Sequence, residues 1–102
     1  MLTPDERIHR AAGRVLSPEN MTLEQFNEVH RRLEAAGWGE PKGRLHHSCF
    51  GEDGSLMVFE VWDKQESFDA FGAALMPILG EVGIDPGQPA VMPVHRINQT
   101  QQ

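Results

Sequence analysis

The sequence has no tyrosine and a single cysteine, Cys49. Without tyrosine, no phenol side chain can serve as an acid or as an oxyanion donor, and one cysteine cannot form a disulfide within the chain. Basic residues are scarce, with 9 Lys and Arg against 15 Asp and Glu and a formal net charge of −6. This charge argues against nucleic acid or an anionic membrane as a partner bound through bulk electrostatics.

Long apolar runs and targeting signals are missing as well. The longest fully apolar stretch, residues 73–79, is far below the roughly 20 residues of a membrane-spanning helix. Residues 1–7 show no basic stretch leading into an apolar one. A phosphate-binding glycine loop and a G-x-S-x-G nucleophile motif are also absent. We therefore expect a cytoplasmic protein that uses no cofactor.

The apolar content is enough for one modest core. Of the 102 residues, 39% are hydrophobic, which suits one domain of ordinary size. We expect a single domain over residues 1–102, with its core at 8–97 and a polar tail at 98–102.

Two segments have the periodicity of helices. In the first, Thr22 and Gln25 form a capping-box pattern, an apolar stripe follows at three- and four-residue spacing, and Gly37 predicts the end. In the second, Asp63 and Glu66 repeat the capping pattern before a longer stripe of the same spacing. Because this stripe contains a proline at position 77, we expect a kink or a break near residue 76.

Four segments favour strands. Residues 44–50 and 55–62 flank a Gly-Glu-Asp-Gly sequence at 51–54, which is typical of a hairpin turn. Residues 8–16 supply another strand, although Thr3 to Glu6 also suits a helix start. The last strand is expected at 90–97, where Pro93 indicates an edge, a bulge or a change of pairing partner.

The order strand, helix, strand, strand, helix, strand predicts an α+β fold of the ferredoxin-like split βαβ type (βαββαβ). Both helices should cover one face of a four-stranded antiparallel sheet. The second hairpin strand is apolar on both faces except at Glu60, so the other sheet face should be apolar too. Apolar patches of that size are uncommon on monomers, and we therefore predict a homodimer whose sheets pack face to face.

Three segments, residues 58–71, residues 21–26 and the pair Val94-His95, resemble the dimeric α+β barrel superfamily. Within it, the chain resembles small bacterial proteins related to antibiotic-biosynthesis monooxygenases, and the resemblance spans residues 8–97. It implies a dimeric α+β barrel and an activity that ranges across this group from cofactor-free oxygenation and isomerisation to none known. Haem-degrading members carry a ligand histidine where this sequence has Phe71 and Gly72, which disfavours that activity.

Candidate chemistry centres on His47 and Glu60. In a hairpin symmetric about Glu52 and Asp53, His47 faces Val58, and Glu60 is its diagonal neighbour on the same sheet face. The Glu60 carboxylate would then fix the tautomer of His47 and raise its basicity, as a general base requires. A purely structural pair in a half-buried sheet, or a pair at the rim of a dimer contact, fits the same two residues.

A ligand cavity is expected on this same face. Trp62, Phe68 and Phe71 would line an apolar seat between sheet and helices for a small apolar or aromatic ligand. His95, on the last strand, would reach this cavity or the partner chain, or would remain a surface residue.

Metal binding would need His47, Glu60 and His95 to converge, and we expect no metal site. Two functions then stay open. The first is a cofactor-independent monooxygenase or isomerase in which His47 takes a proton from an electron-rich phenol or enol. The second is a non-catalytic dimer that binds a small ligand or has a structural role.

Overall fold

In the computed structural model, which describes residues 11–98, six elements follow one another in the predicted order. They are β1 (Ala12–Leu16), α1 (Leu23–Ala35), β2 (Arg44–Phe50), β3 (Met57–Trp62), α2 (Gln65–Val82) and β4 (Ala90–Pro93). The ferredoxin-like α+β fold is confirmed. The expected strand start at residue 8, the alternative helix start at Thr3 and the tail beyond residue 98 lie outside the described residues.

The four strands form one antiparallel sheet with the order β2-β3-β1-β4. β3 lies between β2 and β1, so both of its edges are paired, and one of its faces packs against the core beneath the helices. β4 lies at an edge, where a proline without a donor is tolerated, so the edge interpretation of Pro93 is confirmed. This strand ends at Pro93, four residues before the predicted end.

The register of the β2–β3 hairpin differs from the predicted one by two residues. Glu60 lies directly opposite His47, where Val58 was expected. An irregularity at the start of β2 also places Arg44 opposite Trp62. A shift of two residues keeps each side chain on its face of the sheet. His47 and Glu60 therefore share a face as expected, but as direct rather than diagonal neighbours.

α1 begins with the predicted capping box. The Thr22 hydroxyl accepts a hydrogen bond from the Gln25 backbone N–H at 3.1 Å, and the Gln25 side-chain oxygen accepts one from the Thr22 backbone N–H at 3.0 Å. The Asp53 carboxylate, in the β2–β3 turn, accepts a further bond from the Leu23 backbone N–H at 2.9 Å. The hairpin turn is thereby fastened to the start of α1.

α2 differs from the prediction at its start and in its middle. Its N-cap is Lys64, with no side-chain hydrogen bond, because the preceding Asp63 is still bound through its backbone N–H to the loop before β2. Pro77 does not break the helix, which continues to Val82. Pro77 and the residue four positions before it are both exposed, so water can satisfy the carbonyl that the proline leaves without a donor.

The core lies between the two helices and one face of the sheet. Trp62 and Phe71 are its largest fully buried side chains, with ring centroids 5.2 Å apart. We call the face that carries Trp62 the helix-side face, and the other the open face. Among residues 11–98, no helix covers the open face, and neither helix is long and apolar enough to cross a membrane.

Candidate functional site

A pocket lies between the helix-side face, α1 and α2. It is open to solvent at its mouth, and its cavity volume is about 70 Å³. Four polar or titratable side chains line it, namely His30, Arg44, His47 and Glu60. The remaining walls are apolar, with Phe26 and Phe71 as the aromatic members. A mostly apolar cleft with a few convergent polar groups is the usual form of a small-molecule site.

The structure brings together three of the six residues predicted for the site, namely His47, Glu60 and Phe71. Trp62 has 0% exposure and lies in the core, so it cannot touch a ligand in this conformation. Phe68 lies one helical turn before Phe71 and packs against Trp62, with ring centroids 5.7 Å apart. The prediction that Trp62 and Phe68 line this pocket is therefore wrong.

His95 lies beyond the end of β4, where it is exposed, and it does not line the pocket. The predicted reach of His95 into the cavity is wrong because the last strand ends before it. His47, Glu60 and His95 accordingly do not converge, and no three His, Cys, Asp or Glu side chains within residues 11–98 are grouped so that they could hold a metal ion.

Glu60 is the buried acid of the site. Its Oε2 lies 3.6 Å from Nη1 of Arg44 and 3.9 Å from Nε2 of His47, and Arg14 stands opposite it on β1. Burial raises the pKa of Glu60, while the positive charges of Arg44 and Arg14 oppose that rise. The guanidinium groups of Arg44 and Arg14 thus share the one carboxylate of Glu60. We call the part of the pocket beside these three residues the pocket floor, and the two arginines outnumber the one acid there.

Arg14 is buried beside Glu60. Its guanidinium donates to the side-chain oxygen of Gln65 and lies 3.9 Å from the centroid of the Phe68 ring. Only 4% of Arg14 is exposed. Phe68 therefore serves the site indirectly, by packing against the arginine that faces Glu60. The sequence carried a signal for this pair, because Arg14 and Glu60 are the only charged residues of the two central strands.

His47 does not have the raised basicity expected from its pairing with Glu60. Burial, followed by electrostatic interactions with Arg44, His30 and His46, lowers the pKa of His47 to about 4. The Glu60 carboxylate lies 3.9 Å away, beyond hydrogen-bond distance, so its attraction does not offset these effects. At neutral pH His47 is an uncharged imidazole with the capacity to accept a proton.

His30 and Arg44 are pocket residues that the sequence did not single out. The ring centroid of His30 lies 5.3 Å from that of His47 and 4.3 Å from that of Phe26. The helical spacing placed His30 beside the apolar stripe of α1, where Val29 is the buried member. A histidine at the border of an apolar stripe was thus the available signal.

Comparisons of sequence and of structure give different results. No model of a protein family matches this sequence, and no curated protein sequence matches it. Among solved structures, a candidate antibiotic biosynthesis monooxygenase from Chloroflexus aurantiacus J-10-fl matches with a TM-score of 0.60 and 13% identity, over 88% of this chain and 97% of that chain. Another, from Caulobacter crescentus CB15, matches with a TM-score of 0.57 and 17% identity, over 89% and 93%.

SnoaB, a cofactor-independent oxygenase from Streptomyces nogalater, matches with a TM-score of 0.53 and 19% identity, over 88% of this chain and 92% of that chain. The chain has the antibiotic biosynthesis monooxygenase-like fold. The resemblance found in the sequence is confirmed at the level of this ferredoxin-like fold. The roles of His47, Glu60 and Phe71 stay predictions.

Proposed function

We propose that this chain is a cofactor-independent monooxygenase-like enzyme that acts on a small aromatic or enolic substrate in the pocket. The observation that carries the proposal is the position of His47. Its uncharged imidazole lines a mostly apolar pocket, and the guanidinium of Arg44 lines the same pocket. The fold shared with SnoaB, a cofactor-independent oxygenase, supports the reaction class.

In the proposed reaction, the His47 imidazole takes a proton from a phenol or enol, or from the activated carbon beside it. Arg44 stabilises the resulting anion, and the apolar walls, Phe71 among them, hold its ring system. The anion gives an electron pair to dioxygen at a carbon that still carries hydrogen, forming a C–O bond. The peroxide takes the proton back from His47, and loss of water leaves a carbonyl group.

The proposal includes a homodimer formed through the open face. Phe50 at one edge strand and Met92 at the other are 50% and 51% exposed on this face. Between them, the Phe59 ring lies over Gly13, so that apolar groups extend across all four strands. A second copy would cover these groups with an identical surface, as in a two-fold symmetric dimer. The expected single domain and cytoplasmic location belong to this same proposal.

Sedimentation velocity tests the dimer. We expect the wild-type chain to sediment as a dimer and Phe50→Glu to sediment as a monomer, because the buried charge would lie in the interface. Met76→Glu is the matched control, since Met76 is equally exposed, at 54%, but lies on α2. A monomeric wild type, or a Phe50→Glu variant that remains dimeric, would contradict the proposed interface.

Oxygen uptake tests the enzyme. Wild type, His47→Gln and His46→Gln are incubated with a panel of quinols and enols, with and without oxygen. His46 is the adjacent residue on the opposite sheet face, so it is the matched control. Loss of a general base is expected to lower the rate about 10²- to 10⁴-fold in His47→Gln, while His46→Gln keeps the wild-type rate.

Equal rates for wild type and His47→Gln would remove His47 from the mechanism. A wild type that binds members of the panel but consumes no oxygen with any of them would instead identify a non-catalytic ligand-binding dimer. The first result would mean that His47 is not the base, and the second would mean that the protein is not an oxygenase.

A further inference from the structure

The pocket holds a second imidazole for which the proposed reaction has no role. His30 comes from α1 and His47 from β2, and both line the pocket with ring centroids 5.3 Å apart. Phe26 completes the group, with its ring nearly parallel to that of His47 at 6.2 Å. Two polar rings in a mostly apolar pocket are costly unless their nitrogens find partners.

The tautomer of His30 follows from its one hydrogen bond. Nδ1 lies 3.2 Å from the backbone carbonyl oxygen of Phe26, one turn earlier on α1. A carbonyl only accepts, so Nδ1 of the neutral ring carries the hydrogen and donates. Nε2 is then an acceptor, and it has no hydrogen-bond partner among residues 11–98. The helix thus holds the ring with a lone pair left for another molecule.

The tautomer of His47 follows from the charge beside it. Nε2 is the nitrogen on the side of the Glu60 carboxylate, at 3.9 Å from Oε2. A carboxylate attracts an N–H and repels a lone pair, so the hydrogen is favoured on Nε2. Nδ1 of His47 is then the acceptor. Within the described part of the chain, this nitrogen has no hydrogen-bond partner either.

We infer that Nε2 of His30 and Nδ1 of His47 form a two-acceptor site that selects a ligand with two neighbouring O–H or N–H donors over a ligand with one. The inference rests on the proposed function, because it assumes a ligand in this pocket. It makes His30 a specificity-determining residue. The ligand class becomes an aromatic or enolic molecule with paired donors on one edge and an apolar remainder against Phe71.

The two histidines are placed to accept hydrogen bonds from a ligand and not to coordinate a metal ion. A metal site needs a third ligand, and no His, Cys, Asp or Glu completes one with this pair among residues 11–98. The nearby guanidinium of Arg44 also disfavours a cation, since it lies 3.6 Å from Glu60 and lines the same pocket. Donor groups of a neutral ligand satisfy both nitrogens without adding charge to the pocket.

Two probes of similar shape test this inference. 1,2-Dihydroxybenzene has two neighbouring donors, and in 2-methoxyphenol one of them is replaced by a methyl ether. Dissociation constants are measured without oxygen by titration followed in NMR spectra of the full chain. The wild type should bind the dihydroxy probe about fivefold more tightly, the value of one net hydrogen bond.

Variants of His30 and Phe26, the two rings that α1 contributes to the pocket, distinguish the loss of a hydrogen-bond acceptor from the loss of packing contacts. His30→Phe keeps an aromatic ring but has no acceptor, and His30→Leu repeats the test with a helix-favouring side chain. In both variants the ratio of the two dissociation constants should fall from about fivefold to about onefold. Phe26→Leu is the control, because it removes ring contacts but no acceptor. It should weaken both probes and keep the preference.

A preference that persists in both His30 variants would overturn the two-acceptor site while leaving the proposed function intact. A wild type that binds both probes equally would overturn it in the same way. Probes that leave the signals of His47 and Phe71 unchanged at saturating concentration would overturn both the inference and the proposed pocket.

Discussion

The two faces of the sheet are built from the same strands but differ in chemistry. His46 and His47 are adjacent in β2, yet His47 lies on the helix-side face opposite Glu60 and His46 lies on the open face opposite Val61. Both buried charged residues, Arg14 and Glu60, belong to the helix-side face. The strand period of two therefore divides the sheet into an enclosed face, which holds the core and the buried charges, and an open face.

This division separates the two tasks that we propose for this small domain, ligand binding and dimerisation. The helix-side face encloses a core and a pocket whose charges are held by direct contacts within one chain. The open face has half-exposed aromatic and aliphatic side chains at both edges of the sheet. We accordingly expect substitutions on the helix-side face to alter folding and ligand binding, and those on the open face to alter assembly.

The largest contrast is expected between two phenylalanines. Phe71 lies on the buried side of α2 and is 2% exposed, so Phe71→Ala should lower the free energy of unfolding by about 3–5 kcal/mol. Phe50→Ala, on the open face, should lose less than about 1 kcal/mol at protein concentrations where the chain is monomeric. Urea unfolding measures both values, and equal losses would abolish the distinction between the faces.

The next largest effect is expected for Glu60→Gln, because it leaves the buried guanidinium of Arg14 and the partly buried guanidinium of Arg44 without their carboxylate. We expect a loss of about 3 kcal/mol in unfolding free energy. Glu81→Gln is the control, since Glu81 pairs with Arg32 at the surface at 3.0 Å and should cost less than about 1 kcal/mol. If Glu60→Gln were as mild as its control, the buried cluster would not hold the pocket floor together.

A pH effect of His47 should be smaller. Its pKa falls from 6.5 in the unfolded chain to about 4 in the folded one, so between these values the unfolded state binds more protons and stability falls as pH falls. Between pH 7 and pH 5, wild type should lose about 2 kcal/mol more than His47→Gln, which lacks this group. Parallel losses in the two proteins, measured by urea unfolding, would show that His47 is not held in its neutral form.

Much of the fold follows from local patterns in the sequence. The capping box at Thr22 and Gln25 and the apolar stripes of both helices each act over a few residues, and each is found as predicted. The predicted turn at residues 51–54 is part of a longer connection, because the second hairpin strand begins at Met57 and not at residue 55. The shared face of His47 and Glu60 also follows, because a two-residue error in register leaves strand faces unchanged.

The parts of the site that depend on three-dimensional neighbours did not follow. The bulge that puts Arg44 over the pocket floor has no short-range signature in the sequence. The pKa of His47 depends on burial and on electrostatic interactions with three other side chains, one of them on α1. Trp62 and Phe68 had the right residue types for a pocket wall, but packing depth placed them in the core and beside Arg14.

A crystal structure of the chain with bound 2-methoxyphenol tests the central claim, that the helix-side pocket receives the ligand, most directly. We expect the ring between Phe26 and Phe71, with its hydroxyl at hydrogen-bond distance from His47, and the open face buried against a second copy. A phenol on the open face, or a pocket occupied by side chains while the phenol binds elsewhere, would contradict the assignment of the two faces.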